Sequence, residues 1–489
     1  MSNPSKKKSK SDARKYQATL QESISLSDHE WTYMLPDFPA PAETNRLGLV
    51  KNIAVKTTGT KHGITLNFQR ASMNRALRAD PLSSFIQISF SDFHIRSLRH
   101  ATSEVIGTQP ATPRECTDYT TKLLRAGIAL QGIHYNFYGH SNSQLKSRSC
   151  FLFCGSKEEI QSKVEGLGEF SKMKTVQKKA KRIGLLFSSA EVAKTIDPKW
   201  CEDIPDVESA DYIFTDGCGL IAPKLVRELA SRANIIFRNE RYCPSVLQIR
   251  YRGYKGVVTL DPRMKDGPLL RMRKSMKKFN GGDDHSFAVV QSSKPYTFGH
   301  LNDEVILLLH SLGISSDTLL RKQREHFLFL SDAPDSPQLA FRFLAYVNRF
   351  DLAERVVLES LDAVRLSVQS LIRAEHNKLI NNRGEQRCRI LIPNSRILFG
   401  VCDAWDVLKE GECQVRITHD QKGQPLTLMN CDVLVTRNPC LHPGDLQKFR
   451  AVQRDELSHL VDCIVFSTRG KRPAADLMSG GDLDGDTCT

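Results

Sequence analysis

The spacing of apolar and polar residues changes character several times along the chain. From about residue 46 to 190, short alternating segments such as SFIQISFSDFHI and GIHYNFYG predict a mixed α/β region. From about 205 to 290, segments such as SVLQIRYRGYKGVVTLDP predict strands broken by glycine turns. Residues 300–383 carry apolar residues at three- and four-residue steps, which predicts helices. After them, RCRILIPNSRILFGVCDAW and CIVFSTRG return to strand character.

These changes predict an α+β protein of five parts. A disordered, lysine-rich tail (residues 1–45) precedes the N-terminal mixed α/β region (residues 46–200). A first β unit spans residues 201–299, a helical insertion spans 300–383, and a second β unit spans 384–489. The two β units are of similar size, which indicates a duplicated module.

Composition and charge narrow the classes of function. The chain is 40% hydrophobic and 25% charged, as in ordinary globular proteins, but its formal net charge of +14 favours a polyanionic partner such as nucleic acid. No apolar run is long enough to span a bilayer, and no hydrophobic signal segment follows the first lysines, so we expect neither a membrane nor a secreted protein. Thirteen cysteines without a CxxC pair predict reduced thiols in the nucleus or cytoplasm.

The segment SGGDLDGDTCT (residues 479–489) carries the most specific chemical signal. In an extended backbone, Asp482, Asp484 and Asp486 face one side and Leu483 faces an apolar core. Gly485 lets the chain curl and bring the carboxylates together. Such carboxylates repel one another, and all-oxygen ligands favour Mg²⁺ or Mn²⁺. A solvated turn is the alternative, whereas an EF-hand loop is excluded by the position of the glycine.

Basic residues interleaved with aromatics cluster in the first β unit. Along QIRYRGYKGVV, we expect Arg250 and Arg252 on one strand face, and Gly253 and Gly256 on either side of Lys255. This pattern suits the phosphates of RNA or of a nucleoside triphosphate, and a solvated charged face is the alternative. The predicted phosphate-binding residues of this unit are Arg250, Arg252, Lys255, Arg273, Lys277 and Lys278.

A third polar segment, TRNPCLHPGD, follows a predicted strand. Two prolines stiffen it, and Arg437 and His442 are candidates to reach a binding site, although a rigid turn explains the same residues equally well. Carboxylates for metal ions and cations for phosphates are the two halves of a phosphoryl-transfer site. The residues alone leave nucleotidyl transfer and metal-assisted hydrolysis both open.

Several motifs in a fixed order resemble the cellular RNA-dependent RNA polymerases of eukaryotic RNA silencing. They are FTDGCGLI, QIRYRGYKGVV, RKSMKKF, NPCLHPGD, LVDCIVF and SGGDLDGD, and the resemblance covers about residues 119–486. It departs from the family pattern at Lys274, where proline is expected, and at Gly481, where a polar residue is common.

The resemblance implies a fold of two double-psi β-barrels separated by the helical insertion. It implies that Asp482, Asp484 and Asp486 hold catalytic Mg²⁺ or Mn²⁺ in the second barrel. It also implies that Lys255, with Lys277 or Lys278, faces nucleotide and RNA phosphates in the first barrel.

The implied activity is that of an RNA-directed RNA polymerase, which copies a single-stranded RNA template into double-stranded RNA from NTPs by two-metal nucleotidyl transfer. Its product would supply small interfering RNA, with helicase and Dicer-type nuclease partners, in the nucleus, the cytoplasm or both. Because the family's second barrel continues beyond the aspartates, we expect a chain truncated at its carboxyl end. A non-catalytic RNA-binding fragment and a metal-dependent nuclease are the alternative functions.

Overall fold

The structure is a computed structural model, and it forms two compact units. The first comprises residues 1–191 with 279–284, and the second comprises 192–278 with 285–489. The residues that it describes are 18–20, 32–33, 48–58, 61–91, 113–130, 132–209, 211–233, 236–237, 240–282, 284–380, 389–419 and 423–489. Apart from two short strands, the predicted disordered tail lies outside these residues.

An eight-stranded sheet forms the centre of the first unit, with strand order β1-β4-β3-β5-β8-β7-β6-β2. Its strands are β1 (Ala18–Leu20), β2 (Thr32–Tyr33), β3 (Leu49–Thr58), β4 (Lys61–Arg70), β5 (Phe85–Ser91), β6 (Ile128–Leu130), β7 (Ile133–Gly139) and β8 (Ser149–Phe153). Its helices are α1 (Pro113–Ala126), α2 (Asn142–Lys146), α3 (Lys157–Leu167) and α4 (Val176–Ile183). The alternation in β5 places Ile86, Ile88 and Phe90 in the core, as its pattern predicts.

The second unit begins with a seven-stranded sheet of order β10-β16-β11-β15-β14-β17-β9, here called the first sheet. Its strands are β9 (Glu191–Thr195), β10 (Cys201–Ile204), β11 (Cys218–Ile221), β14 (Val246–Tyr251), β15 (Tyr254–Leu260), β16 (Leu270–Arg273) and β17 (Ser286–Ser292). Helix α5 (Pro223–Ala233) and the hairpin β12 (Ile236–Phe237) and β13 (Glu240–Arg241) lie between β11 and β14. This sheet starts at β9, before the predicted boundary at residue 201.

Helices follow the first sheet, where the three- and four-residue apolar spacing predicts them. They are α6 (Asp303–Ser311), α7 (Ser316–Asp332), α8 (Pro337–Tyr346), α9 (Phe350–Leu358) and α10 (Arg365–Ile380). Their apolar faces bury Phe341, Phe343 and Leu344 in one core. Strand β18 (His300–Asn302) pairs antiparallel with β19 (Arg389–Leu391), so the helical segment leaves and rejoins the β-structure at one place. Within the described residues, no helix has both the length and the hydrophobicity to cross a membrane.

A second seven-stranded sheet, here called the second sheet, completes this unit. Its order is β23-β24-β21-β25-β20-β26, and β22 pairs with β21. Its strands are β20 (Leu398–Cys402), β21 (Glu412–Thr418), β22 (Pro425–Thr427), β23 (Cys431–Val435), β24 (Gln447–Ala451), β25 (Cys463–Phe466) and β26 (Thr487–Cys488). The short helix α11 (Ala474–Leu477) lies between β25 and β26.

The two sheets of the second unit share an arrangement of four adjacent strands. In the first sheet, β10 is parallel to β16, β16 is antiparallel to β11, and β11 is parallel to β15. In the second sheet, β20 is parallel to β25, β25 is antiparallel to β21, and β21 is parallel to β24. Each set therefore has the same spatial order, in which the first strand along the chain neighbours the fourth, the fourth the second, and the second the third. A duplicated module predicts this shared order.

One apolar core joins the two sheets. Val246 and Val257 of the first sheet pack in the same cluster as Val401, Phe466 and Leu483 of the second. Burial of these side chains is the main force that holds the sheets together, since each loses its apolar surface to the other. This contact brings the loops of one sheet against the strands of the other.

Candidate active site

The β14–β15 hairpin of the first sheet presents a polar face. In its antiparallel register, Arg250 lies directly opposite Lys255 and Gln248 lies opposite Val257. Residues directly opposite one another share a sheet face, and Gln248 is two residues from Arg250, so all three polar side chains lie on one face. Two cations this close repel each other unless anions lie nearby.

The prediction that Arg250 and Arg252 share a strand face is wrong. Strand β14 ends at Tyr251, and Arg252 lies in the following turn with a φ of 42°. The chain reverses there, so the two-residue alternation of the strand no longer applies. Arg252 interacts electrostatically with Tyr251 and Tyr254, whereas Arg250 interacts with Asp484.

The acidic segment, residues 482–486, bends at residues 483–485, so the expectation of an extended backbone there is wrong, whereas the predicted curl at Gly485 is present. The φ of Gly485 is 133°, which side-chain-bearing residues rarely adopt, and the backbone N–H of Asp484 donates to Oδ1 of Asp482 at 3.2 Å. Leu483 is 4% exposed and lies in the shared apolar core, as its position between the aspartates predicts.

The polar face of the hairpin meets the acidic segment at Asp484. The Lys255 ammonium donates to both carboxylate oxygens of Asp484 at 2.5 Å, and the Lys278 ammonium lies 3.9 Å from the same carboxylate. The side-chain amide of Gln248 donates to the Asp484 carbonyl at 3.2 Å. The first sheet therefore fixes both the backbone and the side chain of this aspartate.

A close backbone approach also joins the two sheets at this point. The Leu483 N–H donates to the Asp216 carbonyl at 2.9 Å, and a Cβ on Gly217 would lie 2.5 to 2.8 Å from Asp484 atoms. Gly217 also has a φ of +83°, so glycine is required there for both space and conformation. Asp216 and Gly217 belong to the FTDGCGLI motif, but we did not single them out as site residues from the sequence.

Arg437 supplies the counter-charge to another member of the acidic segment. Its Nε donates to Oδ2 of Asp486 at 2.5 Å. A Cβ on Gly481 would lie 2.7 Å from the Cδ of Arg437, so the arginine side chain occupies the space that a larger residue would fill. This packing explains why residue 481 is a glycine, although the family that the motifs resemble commonly has a polar residue there.

Asp445 organises the loop that contains Arg437, although no local sequence pattern indicates this role. Its carboxylate accepts N–H groups of Leu441, His442 and Ser479 at 3.0 to 3.1 Å. His442 is exposed, and its Nδ1 accepts the N–H of Gly444 at 3.0 Å. The predicted site residue His442 thus caps its own turn, while Asp445 ties the turn to the chain before the acidic segment.

The remaining predicted phosphate-binding residues lie apart from the acidic segment. Arg273 is 6% exposed, and its guanidinium donates to the carbonyl of Cys218 at 2.8 Å and to that of Pro205. The Lys277 ammonium lies 5.5 Å from the centroid of the Tyr254 ring. The structure therefore brings Arg250, Lys255, Lys278 and Arg437 to the three aspartates and does not bring Arg252, Arg273, Lys277 or His442 there.

The electrostatics of the site favour an added cation. Burial, together with the negative charges of Asp484 and Asp486 and opposed by Lys255, raises the pKa of Asp482 to about 6. Burial also raises the pKa of Asp216, with Lys278 opposing and Asp484 adding to the increase. A negative charge on either carboxylate is therefore less favourable here than in water.

The residues fit a hard divalent ion by donor type, although they are not arranged as a finished site. Within the described ranges, no three His, Cys, Asp or Glu side chains form a ready group of metal ligands. Lys255 and Arg437 pair with the carboxylates of Asp484 and Asp486. The all-oxygen donor set and the raised pKa of Asp482 nonetheless suit Mg²⁺ or Mn²⁺.

Comparisons with known proteins place the chain in a family. The sequence model of a family described as RNA dependent RNA polymerase matches residues 61–489. The probable RNA-dependent RNA polymerase 1 of Oryza sativa subsp. japonica is 32% identical over an alignment of 425 residues, which covers 84% of this chain and 56% of that protein. RNA-dependent RNA polymerase 1 of Arabidopsis thaliana is 31% identical over 84% of this chain and 37% of that protein. The chain thus spans about half or less of these curated relatives.

The fold is also similar to a solved structure. The RNA dependent RNA polymerase QDE-1 from Thielavia terrestris matches with a TM-score of 0.67 at 20% sequence identity, over 90% of this chain and 53% of that chain. At such low sequence identity, the match shows similarity of fold alone. The fold is mixed α/β with two curled sheets. The family match and the identity to its members confirm the resemblance seen in the motifs. The chain belongs to the RNA-dependent RNA polymerase family.

Proposed function

We propose that this chain carries the catalytic centre of an RNA-directed RNA polymerase. It copies single-stranded RNA into double-stranded RNA from NTPs, in the production of small interfering RNA. The observation that carries the proposal is the contact of Lys255 and Lys278 with Asp484, because these cations, which we propose bind phosphates, lie beside a candidate metal ligand. Family membership supports the reaction type. The same proposal includes a helicase and a Dicer-type nuclease as partners, and a location in the nucleus, the cytoplasm or both.

The fold proposed for the second unit is a pair of double-psi β-barrels. The four adjacent strands that the two sheets share support this by their order and direction, since a duplicated barrel repeats its topology. The first barrel then contributes the cations of the site, and the second contributes the carboxylates.

Asp482, Asp484 and Asp486 are the residues that would hold Mg²⁺ or Mn²⁺. When bound, such ions activate a ribose 3′-hydroxyl and stabilise the leaving pyrophosphate. Lys255 and Lys278 contribute positive charge where the triphosphate gains negative charge. Gln248 holds the backbone of Asp484, and Arg437 orients Asp486.

Replacement of Asp484 tests the proposed reaction. In Asp484→Asn, the side chain keeps its size and loses its charge, so incorporation of labelled NTPs on a single-stranded template should fall by on the order of 100-fold or more, with RNA binding retained. Asp432→Asn is the matched control, because Asp432 is exposed in the same sheet and, among the residues that the structure describes, pairs only with the surface cations Lys448 and Arg450. Undiminished synthesis by Asp484→Asn would show that the acidic segment is not the catalytic centre.

A second candidate function is RNA binding without synthesis. The ion pairs of Lys255 with Asp484 and of Arg437 with Asp486 favour it, because they neutralise these carboxylates without a metal ion. RNA binding with no incorporation in either Mg²⁺ or Mn²⁺ would support this candidate. Shortening of the labelled RNA in the same assay would instead indicate a metal-dependent nuclease.

A further inference from the structure

A second concentration of positive charge lies in the first unit, far along the sequence from the acidic segment. Residues 171–183, here called the α4 segment, read SKMKTVQKKAKRI and contain no acidic residue. Its cations are Lys172, Lys174, Lys178, Lys179, Lys181 and Arg182. Four of these six cations lie in helix α4 itself, and repulsion among them is unfavourable unless an anion covers the helix.

The α4 segment leaves almost all of its surface to solvent. Every residue from 174 to 181 is exposed, and Val176 has a relative exposure of 87%. Thr175 caps the helix by accepting the N–H of Lys178, while Ile183 at the other end is partly buried. A helix that is polar nearly all round has little apolar surface to bury in its own domain, so its charged side chains stay in solvent.

The cations of the α4 segment are mostly uncompensated within the protein. Lys172 pairs with Glu169 at 2.7 Å. In the part of the chain that the structure describes, no carboxylate lies within ion-pairing distance of the other five cations. Their charge is therefore available to an external polyanion.

A cavity of about 680 Å³ lies beside this helix. Its walls come from β7, α3, α4 and the loop that joins the two helices, and Phe137, His140, Phe170 and Lys179 are among the residues that line it. Cavities of this volume accept small organic groups, and a nucleobase is well within the range.

Aromatic side chains give this cavity the character of a stacking site. The ring of Phe137 has a relative exposure of 38%, and its centroid lies 6.3 Å from that of His140. Tyr138 also lines the cavity and is 3% exposed, and its hydroxyl has no hydrogen-bond partner among the described residues. A buried hydroxyl without a partner is rare in folded proteins, and a polar ligand nearby would relieve it.

Two carboxylates line the same cavity but are already engaged. Glu169 accepts hydrogen bonds from Lys172 and from Asn280, the latter at 2.8 Å. Glu165 accepts the side-chain amide of Gln161 at 3.0 Å. The six cations of the α4 segment outnumber these two acids, so the surface remains positive overall.

We propose that the α4 segment and the adjoining cavity bind single-stranded RNA outside the catalytic centre. The lysines of the α4 segment contact successive phosphates, and one base enters the cavity and stacks on Phe137. An acidic peptide would use the lysines but has no use for an exposed aromatic ring beside a base-sized cavity. This binding surface goes beyond the proposed function and does not depend on nucleotide incorporation.

Charge removal in the α4 segment tests the phosphate contacts. The triple variant Lys178→Gln/Lys179→Gln/Lys181→Gln is compared with Lys122→Gln/Lys146→Gln/Lys157→Gln, whose lysines are exposed in the same unit, so that both lose the same charge. Both are made in the Asp484→Asn chain, so the result is independent of synthesis. With fluorescein-labelled oligouridylate, the α4 variant should bind about 10-fold more weakly, with a salt-dependence slope lower by about 2. Equal binding by the two variants would overturn the proposal.

Photocrosslinking tests the base contact without any substitution. Oligouridylate that carries 4-thiouridine is irradiated with the intact chain, and the adducts are located by mass spectrometry. We expect adducts within residues 137–140 that unlabelled oligouridylate suppresses and polyglutamate does not. Absence of adducts from this stretch, or equal suppression by polyglutamate, would show that the surface does not read RNA bases.

Discussion

In the two sheets of the second unit, four strands have the same spatial order, but the two sheets bring side chains of opposite charge to the site. In each sheet, the segment that follows the fourth of these strands along the chain enters the site. After β16 this chain carries Lys278, and after β25 it carries residues 482–486. Strand order therefore sets where these segments lie, whereas their sequence sets the sign of their charge. A duplicated fold can form one heterogeneous site because its two copies place different side chains at related positions.

The charged groups of the site neutralise one another before any ligand binds. Lys255 and Arg437 act as internal counter-ions for Asp484 and Asp486. Neither sheet would bury its charged groups favourably alone, since an unpaired charge loses more hydration than the fold returns. We therefore expect each sheet to depend on the other for the stability of its buried charges.

The largest expected effect follows from filling the space at Gly217. In Gly217→Ala, the new Cβ overlaps Asp484 and strains a positive φ, so the free energy of unfolding should fall by about 3 kcal/mol. Gly267→Ala is the control, because Gly267 also has a positive φ of +116° but has no atom within 4 Å of a Cβ, and it should cost about 1 kcal/mol. Urea unfolding followed by tryptophan fluorescence measures both. Equal losses would argue against the close backbone approach.

A smaller effect is expected from removing one counter-ion. In Lys255→Met, Asp484 loses its closest cation, and because the pair is partly exposed the free energy of unfolding should fall by about 2 kcal/mol. The double variant Lys255→Met/Asp484→Asn should recover at least half of this loss. The exposed pair Arg469–Asp406, treated in the same double-mutant cycle, should show a coupling of about 0.5 kcal/mol or less. Similar coupling in both cycles would mean that the two sheets do not rely on this contact.

The smallest effect distinguishes two adjacent lysines of the first sheet. The Lys278 ammonium lies 3.9 Å from Asp484, whereas the Lys277 ammonium lies over Tyr254. Lys278→Met should lower kcat/KM for NTP incorporation by about 10-fold, and Lys277→Met by about 2-fold or less. Steady-state incorporation at varied NTP concentration measures both values. The reverse order would place Lys277 at the phosphates instead.

Local patterns were sufficient for the features that depend on a single segment. The alternation around Leu483 predicts its burial, the spacing in residues 300–383 predicts helices, and the basic hairpin predicts Lys255 as a contact of the site. Each of these follows from the repeat of a strand or a helix. The site roles themselves stay predictions until the variants are measured.

Features that depend on distant segments could not be read from the same patterns. Arg252 looks like a continuation of β14, and only the turn at positive φ separates it from Arg250. Arg273 is basic, yet its partners are backbone carbonyls of other segments. Asp445 bonds the N–H of Ser479, and no local pattern links two residues so far apart in the sequence.

The contact of Gly217 with Asp484 has a consequence for how this protein can change over evolution. Because no side chain separates the two backbones, their direct contact and the hydrogen bond from Leu483 to Asp216 set the distance between them. A core substitution that shifts one sheet by a few tenths of an ångström moves the aspartate with it. We therefore expect residues of the shared core, such as Val257 and Phe466, to be constrained by the position of Asp484 as well as by stability, and to vary less among apolar residues than a core that encloses no site.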